Sequence, residues 1–422
     1  MIGIYNRGFV IAFERFELQN GLKVIIHEDK STPMVAVNVL YNVGSRDESP
    51  EKTGFAHLFE HLMFSGSKHI SDFDEPIQQA GGENNAFTNN DITNFYDILP
   101  AQNIETALWL ESDRMLSLNF NDEALEIQRK VVLEEFKETT ELEPYGDVWH
   151  HLGEMAFKSH PYRWPTIGKS PNHLEGVKMD DVKAFYHKYY HPANAILTLC
   201  GHISVEEGRQ LVEKWFGDIP AGEPLQRRLP IEPPQEKLEK RLQEADVPSD
   251  ALYMAFHCHG RDDNRFYVAD LLSDILSHSR SARLYKNLVL EQSKLSHVDA
   301  YISGSIDPGL LIIEARPSEG VSLEEASELI WSELTKLKQE LVSDYELQKV
   351  KNQVESSLLF SETSILNKAI NLAFFELVGN ANLINEEADI YNNITAQELK
   401  QLANDIFRAE NCSELVYRGK AK

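Results

Sequence analysis

The chain has 422 residues, 42% of them apolar, and carries 41 Lys and Arg against 67 Asp and Glu for a net charge of −26. That length and apolar share suit a folded protein of two or more domains rather than a disordered chain. The charge argues against nucleic acid and anionic membrane as partners, because both are polyanions; it is compatible with basic peptides.

Three cysteines, Cys200, Cys258 and Cys412, lie far apart with neither disulfide nor metal spacing, which predicts a reducing compartment. The apolar run from Phe9 to Phe13 stops at Glu14 and Arg15, too short for the core of a signal peptide. No stretch is long enough to span a bilayer. The expected location is the cytoplasm, with the periplasm the alternative for a trimmed N-terminus.

In chain order, Gly21 to Glu28 reads as a strand after an Asn-Gly turn, and Val35 to Val43 as a buried strand that Gly44 breaks. An acidic loop then leads into residues 54–66, where His57, Glu60 and His61 form an H-x-x-E-H pattern among Phe55, Leu58, Phe59, Leu62 and Met63. The apolar spacing predicts a largely buried helix with Gly66 as its stop. Positions four apart share a helix face, so His57 and His61 point the same way and can share one zinc ion. Glu60 then lies beside the metal, where a carboxylate can take a proton from the attacking water. The order is the inverse of H-E-x-x-H and matches the inverted zinc-peptidase motif. A lone histidine in such a helix is usually a hydrogen-bonded core residue. Two histidines and an acid buried without a shared partner would cost several kcal/mol, which favours the metal.

Residues Gly81 to Thr88 and then Asn89 to Tyr96 pass from turn chemistry into an extended segment, a strand expected near a sheet edge. Such an edge can accept another chain as an added strand. An apolar helix follows from about Ile104 to Met115, and another starts at Asn121 or Asp122 and runs through Glu134 and Glu135. A catalytic zinc site needs a third protein ligand and one open position. Glu134 and Glu135 are the candidates, and periodicity does not choose between them. The segment from Pro144 to Gly168 concentrates Tyr145, His150, His151, His160, Tyr162 and Trp164, mostly as packing groups.

Pro220, Pro224, Pro230, Pro233 and Pro234 punctuate a stretch that reads as a linker. Across it runs a repeat. Gly44 and Gly260 are 216 apart, and Asp181 and Glu398, like Asn194 and Asn411, are 217 apart. This predicts a duplicated α/β domain of roughly two hundred residues, divided as 1–217, a linker at 218–240, and 241–422. Carrying the metal motif forward by 216 lands on Ser273, Leu276 and Ser277, so the second copy lacks ligands.

His57-Leu58-Phe59-Glu60-His61, Gly82 to Thr88, Val132-Leu133-Glu134-Glu135 and His160-Pro161-Tyr162 together resemble the pitrilysin/insulinase family of zinc metallopeptidases. The resemblance covers nearly the whole chain and is to the short two-domain members especially, those similar to the mitochondrial processing peptidase β-subunit. It implies an α/β (α+β) fold of two homologous domains, each a mainly antiparallel sheet with helices packed on it. It also implies that Glu135, after a gap of 73 residues from His61, is the third zinc ligand. By the same likeness, Asn85, Ala86, Phe87 and Thr88 form the edge that pairs with a bound peptide.

Two departures stand out. Gln128 occupies a position, seven before Glu135, where the family often carries glutamate. Active members usually have an Arg and a Tyr seven apart in the second half; here the two registers give Val289 with Ser296, or Leu290 with His297. The expected activity is that of a zinc-dependent endopeptidase with Glu60 as general base, acting on peptides or unstructured segments. The alternative is a non-catalytic or partner-dependent subunit of a heterodimeric peptidase. An unrelated α/β binding protein with a chance motif is disfavoured by the whole-length match. Assembly is expected as a homodimer, or as a heterodimer with a related chain that carries the Arg and Tyr.

Overall fold

Apolar and β-branched runs bounded by turn residues become the strands, and the inner ones are buried along nearly their whole length. A computed structural model describes residues 10–420; Met1 to Phe9, including the first residue of the N-terminal apolar run, and Ala421 and Lys422 lie outside the described residues. The strands of the first half are β1 (Glu14–Glu17), β2 (Lys23–Glu28), β3 (Met34–Tyr41), β4 (Glu83–Thr88), β5 (Thr93–Pro100) and β6 (Ala195–Gly201). Its helices are α1 (Phe55–Leu62), α2 (Asp74–Gln79), α3 (Ile104–Leu116), α4 (Asp122–Phe136), α5 (Val148–Ala156), α6 (Pro171–Glu175), α7 (Met179–Tyr189) and α8 (Val205–Phe216). The second half holds β7 (Glu239–Ala245), β8 (Ala251–His257), β9 (Leu295–Ile302), β10 (Leu310–Pro317) and β11 (Cys412–Gly419). Among these strands lie α9 (Arg265–Leu276), α10 (Leu323–Gln339), α11 (Asp344–Ser361), α12 (Ile365–Leu377), α13 (Leu383–Asn393) and α14 (Ala396–Ile406).

The first sheet runs β1-β2-β6-β3-β5-β4 and the second β7-β11-β8-β10-β9. Without β1, the two orders are one topology written twice. Met34 and Ala251, which open β3 and β8, are 217 apart, as are Ala195 and Cys412, which open β6 and β11. Among the described residues each sheet has one parallel pairing, β2 with β6 and β7 with β11. The mixed α/β fold of two similar sheets is therefore a duplication. Gly44 and Gly260 show why the repeat kept glycine: a Cβ at Gly44 would lie 2.5 Å from the Asn89 carbonyl oxygen, and one at Gly260 2.2 Å from that of Ile306. In both halves the turn before the first helix is pressed against the backbone of the following hairpin.

The chain packs into two compact units, neither of them a continuous segment. One takes the chain up to Val132, then Ser170–Arg228 and Leu358–Glu387; the other takes Leu133–Lys169, Leu229–Ser357 and Ala388 onward. The first sheet ends before residue 218 and the second begins at Glu239, two residues inside the expected 218–240 linker, because Glu239 already pairs with Ser413 of β11; two helical segments cross over. In the first unit, Ala369, Leu372 and Ala373 of α12 are buried with Ile25, Ala36, Leu40 and Ile196 of the sheet. In the second, Val148, Leu152 and Met155 of α5 are buried with Tyr253, Ile312, Leu415 and Tyr417. Val148 and Ile365, which open α5 and α12, are again 217 apart. Each copy of this helix thus covers the sheet of the other half.

Candidate metal centre

Helix α1 sorts its side chains by face. Phe55, Ala56, Leu58, Phe59 and Leu62 are buried, and His57, Glu60 and His61 are half-buried on the remaining face. The buried face is aromatic: the Phe59 ring lies 4.9 Å from Phe185 and stacks on Tyr190 at 5.2 Å. The helix ends at Leu62, earlier than its apolar pattern suggests, and Gly66 takes a left-handed φ of 101° in the turn beyond. Its start is capped from a distance. The buried Glu48 carboxylate accepts hydrogen bonds from the backbone N–H groups of Gly54 at 3.0 Å and Ala56 at 2.8 Å. A carboxylate there satisfies otherwise unpaired donors and complements the positive end of the helix.

Helix α4 opens with Asn121, whose side chain accepts from the Glu123 N–H at 2.8 Å. Leu125, Val132 and Phe136 are buried along one side. Arg129 holds the helix laterally by donating to the Val177 carbonyl at 2.6 Å. The division between the two units falls inside α4, which continues unbroken to Phe136. Near its end the two adjacent acids separate by environment. Glu134 is exposed, 3.3 Å from the Lys137 ammonium, and Glu135 is half-buried. One ligand atom each from His57, His61 and Glu135 lies within 4.8 Å of the others. The two imidazole rings are 4.9 Å apart and nearly perpendicular.

These residues fit a zinc ion. Two imidazole nitrogens and one carboxylate oxygen form a catalytic type of donor set, and bonds of about 2.0–2.1 Å hold tetrahedral donors roughly 3.3 Å apart, inside the observed span. Glu60 lies on the same helix between the histidines, and Thr88 Oγ1 donates to its carboxylate at 2.6 Å.

Thr88 ends β4, the outermost strand of the first sheet, which hydrogen-bonds only to β5 among the described residues. Asn85, Ala86, Phe87 and Thr88 therefore all lie on a sheet edge, opposite Tyr96, Phe95, Asn94 and Thr93. The hairpin turn that follows is locked to the chain leading into α1. Arg46 pairs with Asp91 at 2.9 Å in a buried contact, and its backbone N–H donates to the Asn90 carbonyl. Behind the site, burial pushes the Tyr190 phenol well above its usual range.

Of the aromatic and histidine residues between Pro144 and Gly168, His151 bonds Asp147 at 3.0 Å and His150 bonds the Gly168 carbonyl at 2.9 Å. Tyr162 and Trp164 are buried. In the second half, Ser273 donates to the Asp270 carbonyl and Ser277 to the Val298 carbonyl. Neither is a metal-ligand type. Sequence reasoning missed Glu48, because a side chain capping a helix across an intervening loop leaves no fixed spacing to read.

Residues 23–170 match the model for the insulinase family, peptidase family M16, and residues 176–354 match the M16 inactive domain. The chain belongs to the M16 peptidase family. It is 27% identical over 406 residues to a Bacillus subtilis protein named as the uncharacterized zinc protease YmxG, covering 96% of this chain and 98% of that one. It is 26% identical to the zinc protease PqqE of Helicobacter pylori, covering 96% and 92%. The crystal structure of a protease from Helicobacter pylori superposes with a TM-score of 0.91 at 25% identity, covering 97% of this chain and 100% of that one.

Proposed function

We propose that the chain is a zinc-dependent endopeptidase cleaving peptides or unstructured polypeptide segments. The observation that carries this reading is the convergence of His57, His61 and Glu135 within 4.8 Å, with Glu60 on the same helix as the histidines. Relatives named as zinc proteases support it. His57, His61 and Glu135 would hold the metal. When bound, zinc lowers the pKa of a water molecule and polarises the scissile carbonyl. Glu60 accepts the proton of the attacking water at its carboxylate and returns it to the leaving amine. β4 offers the backbone groups of Asn85 to Thr88 to an extended substrate, which adds to the sheet as a further strand. An added strand aligns by backbone hydrogen bonds, so the substrate must be unfolded where it is cut.

The segment that lacks the Arg and Tyr supports a partner. Val289 and Leu290 fall in a wide helical turn over Tyr285–Glu291, and Ser296 and His297 on β9. We propose an assembly of two chains, a homodimer or a heterodimer in which a related chain supplies the Arg and Tyr. Cys200, Cys258 and Cys412 are all buried and unbridged, which supports a cytoplasmic setting. No helix among the described residues is long and apolar enough to cross a membrane.

The test is cleavage of a quenched fluorescent peptide of unstructured sequence by the native complex. Activity should vanish on chelation and return with zinc alone. Cleavage that survives complete zinc removal rejects the reading. The isolated chain, assayed with and without its co-purifying partner, decides the assembly: full activity from a strict monomer excludes a required partner.

A further inference from the structure

Thr88 joins two parts of the site that α1 and the sheet supply separately. It is the last residue of the edge strand, and its hydroxyl lies 2.6 Å from Oε2 of Glu60. The neighbouring hydroxyl does not compete well for its proton. Thr93 Oγ1 is 3.4 Å from Thr88 Oγ1, at the limit of a hydrogen bond, and is itself held by donating to the Val43 carbonyl at 3.0 Å. The single Thr88 proton therefore belongs to the carboxylate. Charge-assisted bonds of this length are the stronger class.

Resting on the endopeptidase reading, we propose that Thr88 is a positioning residue: its hydroxyl sets the orientation of the Glu60 carboxylate from the strand that receives the substrate. A glutamate side chain has several free torsions, and one fixed oxygen removes most of that freedom. The fixed point lies on β4, so the strand that aligns the scissile bond also aligns the base. Proximity catalysis depends on this kind of shared frame, since small misplacements of a reacting group are costly in rate.

The experiment uses the full chain, in the assembly in which it is isolated, with a quenched fluorescent peptide. Thr88→Val keeps shape and strand preference and removes the hydroxyl. We expect kcat to fall about tenfold, the effect of losing one hydrogen bond to a charged group, with KM and zinc content unchanged. Thr88→Ser should restore kcat close to the parent value. In a Glu60→Gln background, Thr88→Val should cause no further loss, because the two residues act as one unit. Thr88→Ala carries the same comparison if valine is not accommodated. A parent-like kcat in both Val and Ala variants, a loss confined to KM, a fall in zinc content, or a further tenfold loss in the Glu60→Gln background each overturns the proposal. An active Glu60→Gln would instead reject the general-base reading itself, whatever Thr88 does.

Discussion

Asn194 and Asn411 make the same pair of hydrogen bonds 217 residues apart. Asn194 Nδ2 donates to the carbonyls of Tyr189 at 2.8 Å and Asn42 at 3.2 Å. Asn411 Nδ2 donates to those of Ile406 and His257, both at 3.0 Å. In each case one bond ties off the helix before the central strand, α7 or α14, and the other reaches the end of the neighbouring strand, β3 or β8. A buried amide that satisfies two buried carbonyls is hard to replace, and the duplication preserved it in both copies.

Asn194→Ala and Asn411→Ala should therefore destabilise the protein by similar amounts. Each removes two hydrogen bonds, although Arg227 Nη2 still donates to the Asn42 carbonyl and the Arg408 N–H to that of Ile406, at a cost of roughly 1–3 kcal/mol. Urea unfolding followed by circular dichroism measures this, and zinc content in the folded fraction should not change. A near-zero effect at either site would show that water replaces the amide there.

Metal content tests the ligand set. His57→Ala, His61→Ala and Glu135→Ala should each reduce bound zinc well below one per chain, measured by atomic absorption. Glu134→Ala, which removes an exposed carboxylate beside Lys137, should leave it unchanged. Loss of zinc in Glu134→Ala with retention in Glu135→Ala would exchange their roles.

Glu60→Gln separates chemistry from binding. The amide keeps the shape and cannot accept the proton, so turnover should fall by at least about a hundredfold, the scale of general-base catalysis. Zinc stoichiometry and the thermal midpoint should stay near the parent values. An equal loss of zinc would make Glu60 a ligand.

The second half carries a pH response of its own. Burial and the nearby Asp270 push the Asp274 carboxyl up to about 7, while His278 opposes the shift. Asp270, one turn earlier on α9, accepts a hydrogen bond at 2.5 Å from Tyr391 of α13, and Arg261 favours its charged form. Because the folded pKa of Asp274 lies above that of the unfolded chain, the folded state holds the proton longer. Its stabilising contribution is complete below about pH 4 and is lost as pH rises through 7. Asp274→Asn should flatten this decline, raising the thermal midpoint at pH 8 more than at pH 5. Identical shifts at both pH values would reject a titrating Asp274.

The sequence by itself determined what is local or periodic. Apolar spacing specified α1 and put His57 and His61 on one face, because a helix repeats every 3.6 residues whatever surrounds it. The constant offset of 216 to 217 between Gly44 and Gly260 and between Asn194 and Asn411 exposed the duplication, because the same backbone contacts demanded the same residues twice. Tertiary structure decided what depends on long-range approach. Glu134 and Glu135 are equivalent acids in the linear pattern; the packing of Leu125, Val132 and Phe136 turns one toward the histidines and leaves the other in water. Glu48 as the cap of α1 and Thr88 as the partner of Glu60 are contacts across loops, which no spacing encodes. The crossing of α5 and α12 onto each other's sheets was also invisible, because an amphipathic helix specifies that it needs an apolar surface but not which of two similar sheets provides it.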